Sequence, residues 1–474
     1  MAPAILWYRR DLRVHDLPAL AAALDDGGDE GVIPVFCFDG RILHGRFPSA
    51  RRAGFLLRSL EALDARWHDL GGRLWFRHGD PAHELAAIAR ETGATRVHAS
   101  EEFSGFGRTR DGRVREALKA AGAELLLHPG VAIATDLGAI RTKSGKPHIV
   151  FTPFSKAWAD QPRRELLKAP TSLHTPRGHR GELPSLAALG FSAADAKVED
   201  APEAGEIAGV DAARRWTLDP LGRYDASRAD LASRTSRLSA HLHYGSLSPL
   251  LLEHLTREHR SKSAATYRTE LAWRDFYLQV VLHHPHVARL EFQERYRELA
   301  WEDDPDGLEA WQQGRTGYPV VDAAMRELAA TGFMHNRARM IVASFLTKDL
   351  HLDWRHGERW FMEHLLDGDL ASNNGGWQWT ASTGTDPAPY FRRMFNPTLQ
   401  QKKFDPSGGY VRRWCPELAN VSDRHLPEPW KMTDAQQRAA GCVIGRDYPA
   451  PIVDHAEERK HAASRYQAVG AAQA

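Results

Sequence analysis

Four groups of side chains in the second half of the sequence have the types and spacing for ligand chemistry. "ELAWRDFY" (Glu270–Tyr277) sets Glu270, Trp273, Arg274 and Tyr277 at three- and four-residue steps, so a helix would present all four on one face. Aromatic residues there belong to a core, but a glutamate and an arginine beside them need partners, so a cavity lining competes with a core. "TSRLS" (Thr235, Ser236, Arg237, Leu238, Ser239) precedes an apolar helical pattern. Either Thr235 or Ser236 caps that helix, or the hydroxyls, the arginine and free N–H groups hold a phosphate. In "MHNRARM" (Met334–Met340), Asn336, Arg339 and Met340 share one side, which also reads as a salt-bridged amphipathic surface. Finally, "DGDLASNNGGWQWT" opens with Asp367, Gly368 and Asp369, a D-x-D of the kind that holds a divalent metal against a diphosphate in nucleotide-sugar transferases. Asn373–Gly376 suit a turn, and Trp377 and Trp379 then follow in a segment too polar for ordinary core. His283, His284 and His286 are interrupted by Pro285 and lack a second ligand cluster, so no metal is expected there.

The elements that must position these groups fall into two kinds. Over residues 1–130, Ile5–Tyr8, Val32–Phe38, Arg73–Arg77, Arg96–Ala99 and Glu124–His128 read as short buried strands. Leu56, Leu60, Leu63, Trp67 and Leu70 form a helical stripe between them, and helices at Pro81–Thr92 and Arg108–Ala121 end at Gly93 and Gly122. This alternation predicts an α/β domain with a five-stranded parallel, Rossmann-like sheet, whose ligands sit at the carboxyl ends of its strands. "GFGRTRDG" has Arg110 where a dinucleotide fingerprint needs a glycine, and reads as a turn. Prolines 162, 170, 176, 184 and 202 mark residues 131–220 as a long linker with little regular structure. From 221 to 474 strand signals vanish, and helices are expected at Pro249–His259, Ala264–His283, Leu308–Gly314, Val320–Thr331, Asn336–Leu350 and Gly357–Leu366, an all-α domain.

Composition narrows the classes. Of 474 residues 42% are apolar and 26% charged, with a formal net charge of +1, so affinity for nucleic acid would need a local basic patch. Three cysteines exclude a disulfide framework and a four-cysteine zinc or iron–sulfur site, and fit a reducing, cytoplasmic setting. No run approaches the ~20 apolar residues of a membrane span, and the N-terminus lacks a secretory pattern. Ten of the 14 tryptophans lie from Trp216 onward, a skew that calls for a reason.

Taken in order, Thr235–Ser239, Glu270–Tyr277, "GRTGYPVVDAAMREL" (Gly314–Leu328), Met334–Leu350, "DWRHGERWFM" (Asp353–Met362) and the Asp367–Tyr390 stretch resemble the photolyase/cryptochrome family, nearest its class I cyclobutane pyrimidine dimer photolyases. "WYRRDLRVHD" (Trp7–Asp16) is similar to that family's first strand and loop, and the likeness runs on through "RRWCPEL" (Arg412–Leu418) and "YPAPIVDH" (Tyr448–His455). The resemblance implies FAD in the helical domain, with Tyr224 and Thr235–Ser239 on its phosphates and ribityl chain. Arg274, Asn336, Arg339, Asp367, Gly368, Asp369 and Asn373 would surround a U-shaped flavin. Arg339 would pair with Asp367, Asp369 would accept from a flavin N–H, and Asn373 would face N5 with a neutral amide. Plant cryptochromes carry Asp at that place and animal ones Cys, so the chain looks like a photolyase rather than a signalling photoreceptor.

The same resemblance makes Trp273 and Trp379 the walls of a lesion pocket, with Glu270 on the pyrimidine edge, Asn336 and Met340 lining it, and Arg274, Tyr277 and Arg337 also against DNA. Six-four photolyases have two histidines at the places of Asn336 and Met340, and the DASH group usually a tyrosine at one wall, so cyclobutane dimers in UV-damaged double-stranded DNA are the expected substrate. Trp377, Trp354 and Trp301 match an electron-transfer chain from flavin to surface. The implied reaction is that of a carbon–carbon lyase: light excites reduced FAD, an electron splits the cyclobutane ring and then returns. Arg337, Arg392, Lys402 and Lys403 are candidates for phosphate contacts. Around Glu101–Val114 and Phe36–Leu43 the chain resembles members that bind an 8-hydroxy-deazaflavin antenna. It has Phe106 and Gly107 where methenyltetrahydrofolate binders carry Asn–Glu, which leaves the folate as the alternative. A monomer needing no protein partner and no membrane is expected.

Overall fold

The structure, a computed structural model, describes residues 2–386 and 389–471. Its N-terminal half is built on five parallel strands, β1 (Ala4–Tyr8), β2 (Val32–Phe38), β3 (Trp75–His78), β4 (Arg96–Ser100) and β5 (Glu124–His128), in the order β3-β2-β1-β4-β5. Every residue of β1 and β2 is buried because helices cover both faces, which is why these strands read as unbroken apolar runs. Alternation along β1 divides the core. Leu6 and Tyr8 pack with Phe55, Leu60, Leu63 and Trp67 on one face, while Ile5 and Trp7 pack with Trp75, Leu85 and Ile88 on the other.

Local signals fix the helices between strands. Ser49 caps Ala50–Asp69, which carries the leucine stripe, and Asp80 caps Pro81–Thr92, which stops at Gly93 in the left-handed region (φ 70°). "GFGRTRDG" is not a turn: it forms the first two turns of the Gly105–Ala120 helix, because Ser104 accepts the Gly107 N–H and Arg110 is buried in an ion pair with Asp111.

The expected linker also needs correction, since helices Phe151–Ala159 and Glu206–Leu218 stand at either end of its irregular part. Phe151, Phe154 and Trp158 join the core of the Lys262–His283 helix, and that packing makes a nine-residue helix stable where propensity alone does not. The irregular part lies back on the sheet and closes its β3 edge through Phe76 N–H to Arg180 O at 2.7 Å.

The second half is helical as expected. Pro249–Arg257, Lys262–His283, Pro305–Gln312, Pro319–Thr331, Asn336–Lys348 and Trp354–His364 match the predicted segments to within a few residues. One segment departs. Asn373–Gly376, expected as a turn, lie inside a helix over Leu370–Ala381 that packs against Lys262–His283, Asn336–Lys348 and Trp354–His364. Two adjacent glycines cost such a helix about 1–2 kcal/mol together. Packing offsets this, for a Cβ on Gly375 would fall inside the Tyr277 ring, so only a bare Cα lets the two helices meet.

Candidate active site

The Leu370–Ala381 helix begins at Asp369, whose Oδ1 accepts the Ser372 N–H at 2.8 Å. Its Oδ2 accepts from Arg10 Nη2 at 2.5 Å, so a residue just past the carboxyl end of β1 reaches into the helical half. Burial alone would raise the Asp369 carboxyl, but Arg10, the Ser372 N–H and Arg274 together hold it well below the usual carboxylate range. His243, beside Arg10, is kept neutral by burial and by that positive charge. Neither Arg10 nor His243 was among the sequence candidates, although Arg10 lies within "WYRRDLRVHD".

The second acid of the D-x-D has a separate partner. Arg339 Nη2 donates to both Asp367 oxygens at 3.2 and 2.9 Å, the expected pair. With each carboxylate on its own arginine, the metal reading of the motif loses its ligands. The Phe333 ring lies under both Arg237 and Arg339, at 4.8 and 5.7 Å. A narrow cleft is lined by Arg237, Ser239, Gly332, Phe333, Leu366 and Asp367, bringing the TSRLS and D-x-D segments onto one wall. A larger, open hollow lined by Glu61, Asp64 and Leu183 lies on the N-terminal domain away from these residues.

TSRLS does not cap a helix through Thr235 or Ser236. The helix starts at Ser239 after Leu238, without a side-chain cap, so its first N–H groups stay open to an anion. Arg237 takes a left-handed φ of 49°, uncommon for a non-glycine. Ser236 accepts from Tyr267 OH at 3.0 Å, and Tyr267 meets Tyr224 edge-on at 5.1 Å, which links Tyr224 to the same segment. Arg274 is anchored on Val131 O at 2.6 Å. Asn373 spends its Nδ2 on Glu358 O at 3.0 Å, leaving its amide oxygen as the free acceptor. Asp369, Asn373 and Gly376 share one helix face, and a Cβ on Gly376 would meet nothing. A carboxylate, an amide oxygen and bare backbone over open space suit a flat, N–H-bearing ring. Gly368 leaves room for Arg52.

The tryptophans divide into two sets. Trp377, 2% exposed, packs edge-on against Phe361 at 5.0 Å and Trp311 at 6.1 Å, and a Cβ on Gly357 would fall inside its indole. Trp354 is fully buried in the same cluster and Trp301 packs on its margin; Trp311, not foreseen as part of this set, lies among them. Trp273, by contrast, stacks flat on Phe151 at 3.6 Å and 6°, with Tyr277 tilted beside it at 5.5 Å. Trp379 is half-buried and carries Arg393 4.1 Å over its ring. Phe151 and Arg393, which fix these two indoles, gave no signal beyond their residue types.

Glu270 accepts from Arg228 at 2.7 Å; burial pushes its carboxyl up, and Arg228 opposes that. Asn336 is exposed and Met340 half-buried on one helix with Arg339. Arg337 and Lys403 both lie over Phe404, at 4.4 and 5.2 Å. Lys402 is tied to Glu428 at 2.9 Å, whereas Arg392 is exposed beside Phe391.

Comparison with known proteins fits this arrangement. The family described as "DNA photolyase" matches residues 4–173, and the "FAD binding domain of DNA photolyase" matches 267–468. The chain is 41% identical to the deoxyribodipyrimidine photo-lyase of Streptomyces griseus, over 97% of this chain and 98% of the relative. It is also 41% identical to that of Halobacterium salinarum, over 98% of each. Among solved structures, a bacterial class III photolyase from Agrobacterium tumefaciens superposes with a TM-score of 0.92 at 36% identity, covering 99% of this chain and 98% of that one. An archaeal photolyase from Sulfolobus tokodaii, solved with two FAD molecules, gives 0.83 at 30% identity over 98% and 99%. The chain belongs to the DNA photolyase family, and its helical half is the FAD-binding domain of that family.

Proposed function

We infer that the chain is a light-dependent DNA repair enzyme, a deoxyribodipyrimidine photo-lyase that splits cyclobutane pyrimidine dimers in UV-damaged double-stranded DNA. The observation that carries this reading is the Asp369–Asn373–Gly376 face, open to a ring, beside two indoles held flat by Phe151 and Arg393. FAD is held by Tyr224, Thr235, Ser236, Arg237, Leu238, Ser239, Arg274, Asn336, Arg339, Asp367, Gly368, Asp369 and Asn373. When bound and reduced, it supplies the photoexcited electron that opens the dimer and takes it back afterwards.

The chain's own residues do the rest. Asp369, ionised at neutral pH, accepts an N–H of the ring system, and the Asn373 oxygen accepts another without adding charge. Trp273 and Trp379 are stacking platforms. Flipping a dimer out of the duplex costs a few kcal/mol, and stacking returns about 1–3 kcal/mol per base, so two fixed walls offset the cost where one does not. Glu270 accepts from the pyrimidine edge, while Asn336, Met340 and Tyr277 shape the recess. Arg337, Arg392 and Lys403 hold phosphates, with Lys402 weakened by Glu428. Trp377, Trp354 and Trp301 deliver electrons from the surface.

We assign residues 1–130 to an antenna-binding domain, 131–220 to the linker and 221–474 to the cofactor and lesion domain. The antenna is an 8-hydroxy-deazaflavin, supported by Phe106 and Gly107 at the start of the Gly105–Ala120 helix. The enzyme works as a cytoplasmic monomer; no helix among the described residues is long and apolar enough to cross a membrane. Reduced protein should repair cyclobutane-dimer oligonucleotides in blue light and not in the dark. Repair of six-four lesions instead, or of neither, refutes this reading. A visible spectrum of the same sample identifies the antenna.

A further inference from the structure

The indole nitrogens of the three tryptophans meet different surroundings. Trp377 Nε1 is buried and has no hydrogen-bond partner among the described residues. Trp354 Nε1 donates to Glu291 Oε1 at 3.2 Å, and Glu291, 3% exposed, is paired with Arg355 Nη2 at 2.8 Å. The Arg355 guanidinium stands 4.7 Å from the Trp354 ring centroid. Trp301 lies at the margin of the cluster with Arg465 5.5 Å over its ring.

An indole that has given up one electron carries a positive charge, concentrated toward its N–H. Burying that charge without a partner is costly, as at Trp377. A carboxylate on the N–H lowers the cost more than a neutral acceptor does, because charge-assisted hydrogen bonds are roughly twice as strong and the interior screens them weakly. We propose that Glu291 is a positioning residue for electron supply: its carboxylate stabilises Trp354 once oxidised, drawing the positive charge outward from Trp377. Each transfer balances. Trp377 gives one electron inward and recovers it from Trp354, Trp354 recovers its own from Trp301, and an external thiol gives one electron to Trp301, becoming a thiyl radical and releasing its proton to solvent. No proton moves at Trp354, whose N–H stays bonded to Glu291. Arg355 over the ring acts in the opposite sense, so the two members of one ion pair push the same step in opposite directions.

The inference rests on the electron-chain reading, and the test separates the two. In dark-held protein with FAD bound, the ¹⁵N–¹H signal of the Trp354 indole should lie downfield and move upfield in Glu291→Gln, which keeps an acceptor oxygen but loses the charge. Under anaerobic blue light with a thiol, flavin photoreduction in Glu291→Gln should fall on the order of tenfold. Arg355→Gln, measured at pH 8 so that the freed carboxylate stays ionised, should instead be faster than the parent. Trp377→Phe is the control: unaltered photoreduction there removes the chain itself. With that control inactive, an unshifted indole signal, an unchanged Glu291→Gln rate, or slowing in both variants overturns the role of Glu291.

Discussion

Trp377 keeps 2% of its surface and packs edge-on against Phe361 and Trp311, whereas Trp379, two residues along the same helix, is half-buried under Arg393. One face of the Leu370–Ala381 helix is therefore a sealed apolar interior, and the other is open at Gly376. The same residue type serves both because indole is large, flat and mostly apolar, and its surroundings decide its use. Inside, the neighbour that fits it is an absent side chain, Gly357. Outside, it is a cation or a ring fixed flat against it. The contrast predicts that substitutions on the inner face act through packing and those on the outer face through ligands.

The inner face should show the largest effect. A valine at Gly357 must displace the Trp377 ring, since even its Cβ would lie within the indole. Overpacking of this kind costs about 1–3 kcal/mol and more when backbone has to move. Gly357→Val should therefore lower the melting temperature of the FAD-bound protein clearly and slow photoreduction in parallel. A melt matching the parent would mean that this face is not sealed.

The next effect tests the ion pair that joins the two halves. The Arg10–Asp369 pair is only partly buried, so removing one member costs less than the ~3 kcal/mol of a fully buried pair, and Arg10→Gln should loosen the site. The sign with pH follows from Asp369, whose carboxyl lies below its unfolded value near 4. Its stabilisation is complete above that value and is lost as pH falls through the depressed folded one. Without Arg10 the folded value moves up, so flavin release on acid titration should begin at higher pH than in the parent. Coincident release curves would dissociate Asp369 from cofactor retention.

These residues also show what a sequence can and cannot disclose. The sheet was legible because strands buried on both faces are bare apolar runs, and Asp80, Pro81 and Gly93 state the limits of a helix locally. Arg339–Asp367 was legible through the family resemblance of its two motifs. Arg10–Asp369 was not, because it joins residues 359 positions apart and nothing near Arg10 specifies the distant acid. The Asn373–Gly376 turn was misread for the opposite reason: local propensity favoured it, while Tyr277 against Gly375, a tertiary contact, decides for helix. Phe151 lay inside an apparent linker, and its stacking on Trp273 exists only once that linker folds back.

On the neighbouring Lys262–His283 helix, at Trp273, the main effect should fall on DNA. Trp273→Ala removes a stacking platform worth about 1–3 kcal/mol per base. Affinity for dimer-containing duplex should fall by one to two orders of magnitude, with affinity for undamaged duplex nearly constant, as read by competition binding at fixed salt. Equal losses on both would make Trp273 a packing residue whose stacking on Phe151 is its whole purpose.

The smallest effect discriminates best, because its sign differs between stability and binding. Gly375 and Gly376 are adjacent in one helix, yet a Cβ on the first meets Tyr277 and on the second meets nothing. Alanine in a helix interior is favoured over glycine by about 0.5–1 kcal/mol, so Gly376→Ala should stabilise the FAD-free protein by that much, while Gly375→Ala destabilises it. If the open space beside Asp369 and Asn373 is where the ring lies, the Gly376 methyl group intrudes on it and FAD retention weakens, measured by flavin content after dialysis. A Gly376→Ala protein that is more stable and equally rich in FAD would show that the open face looks onto solvent, and the site would then have to be drawn around Arg339 and Asp367 alone.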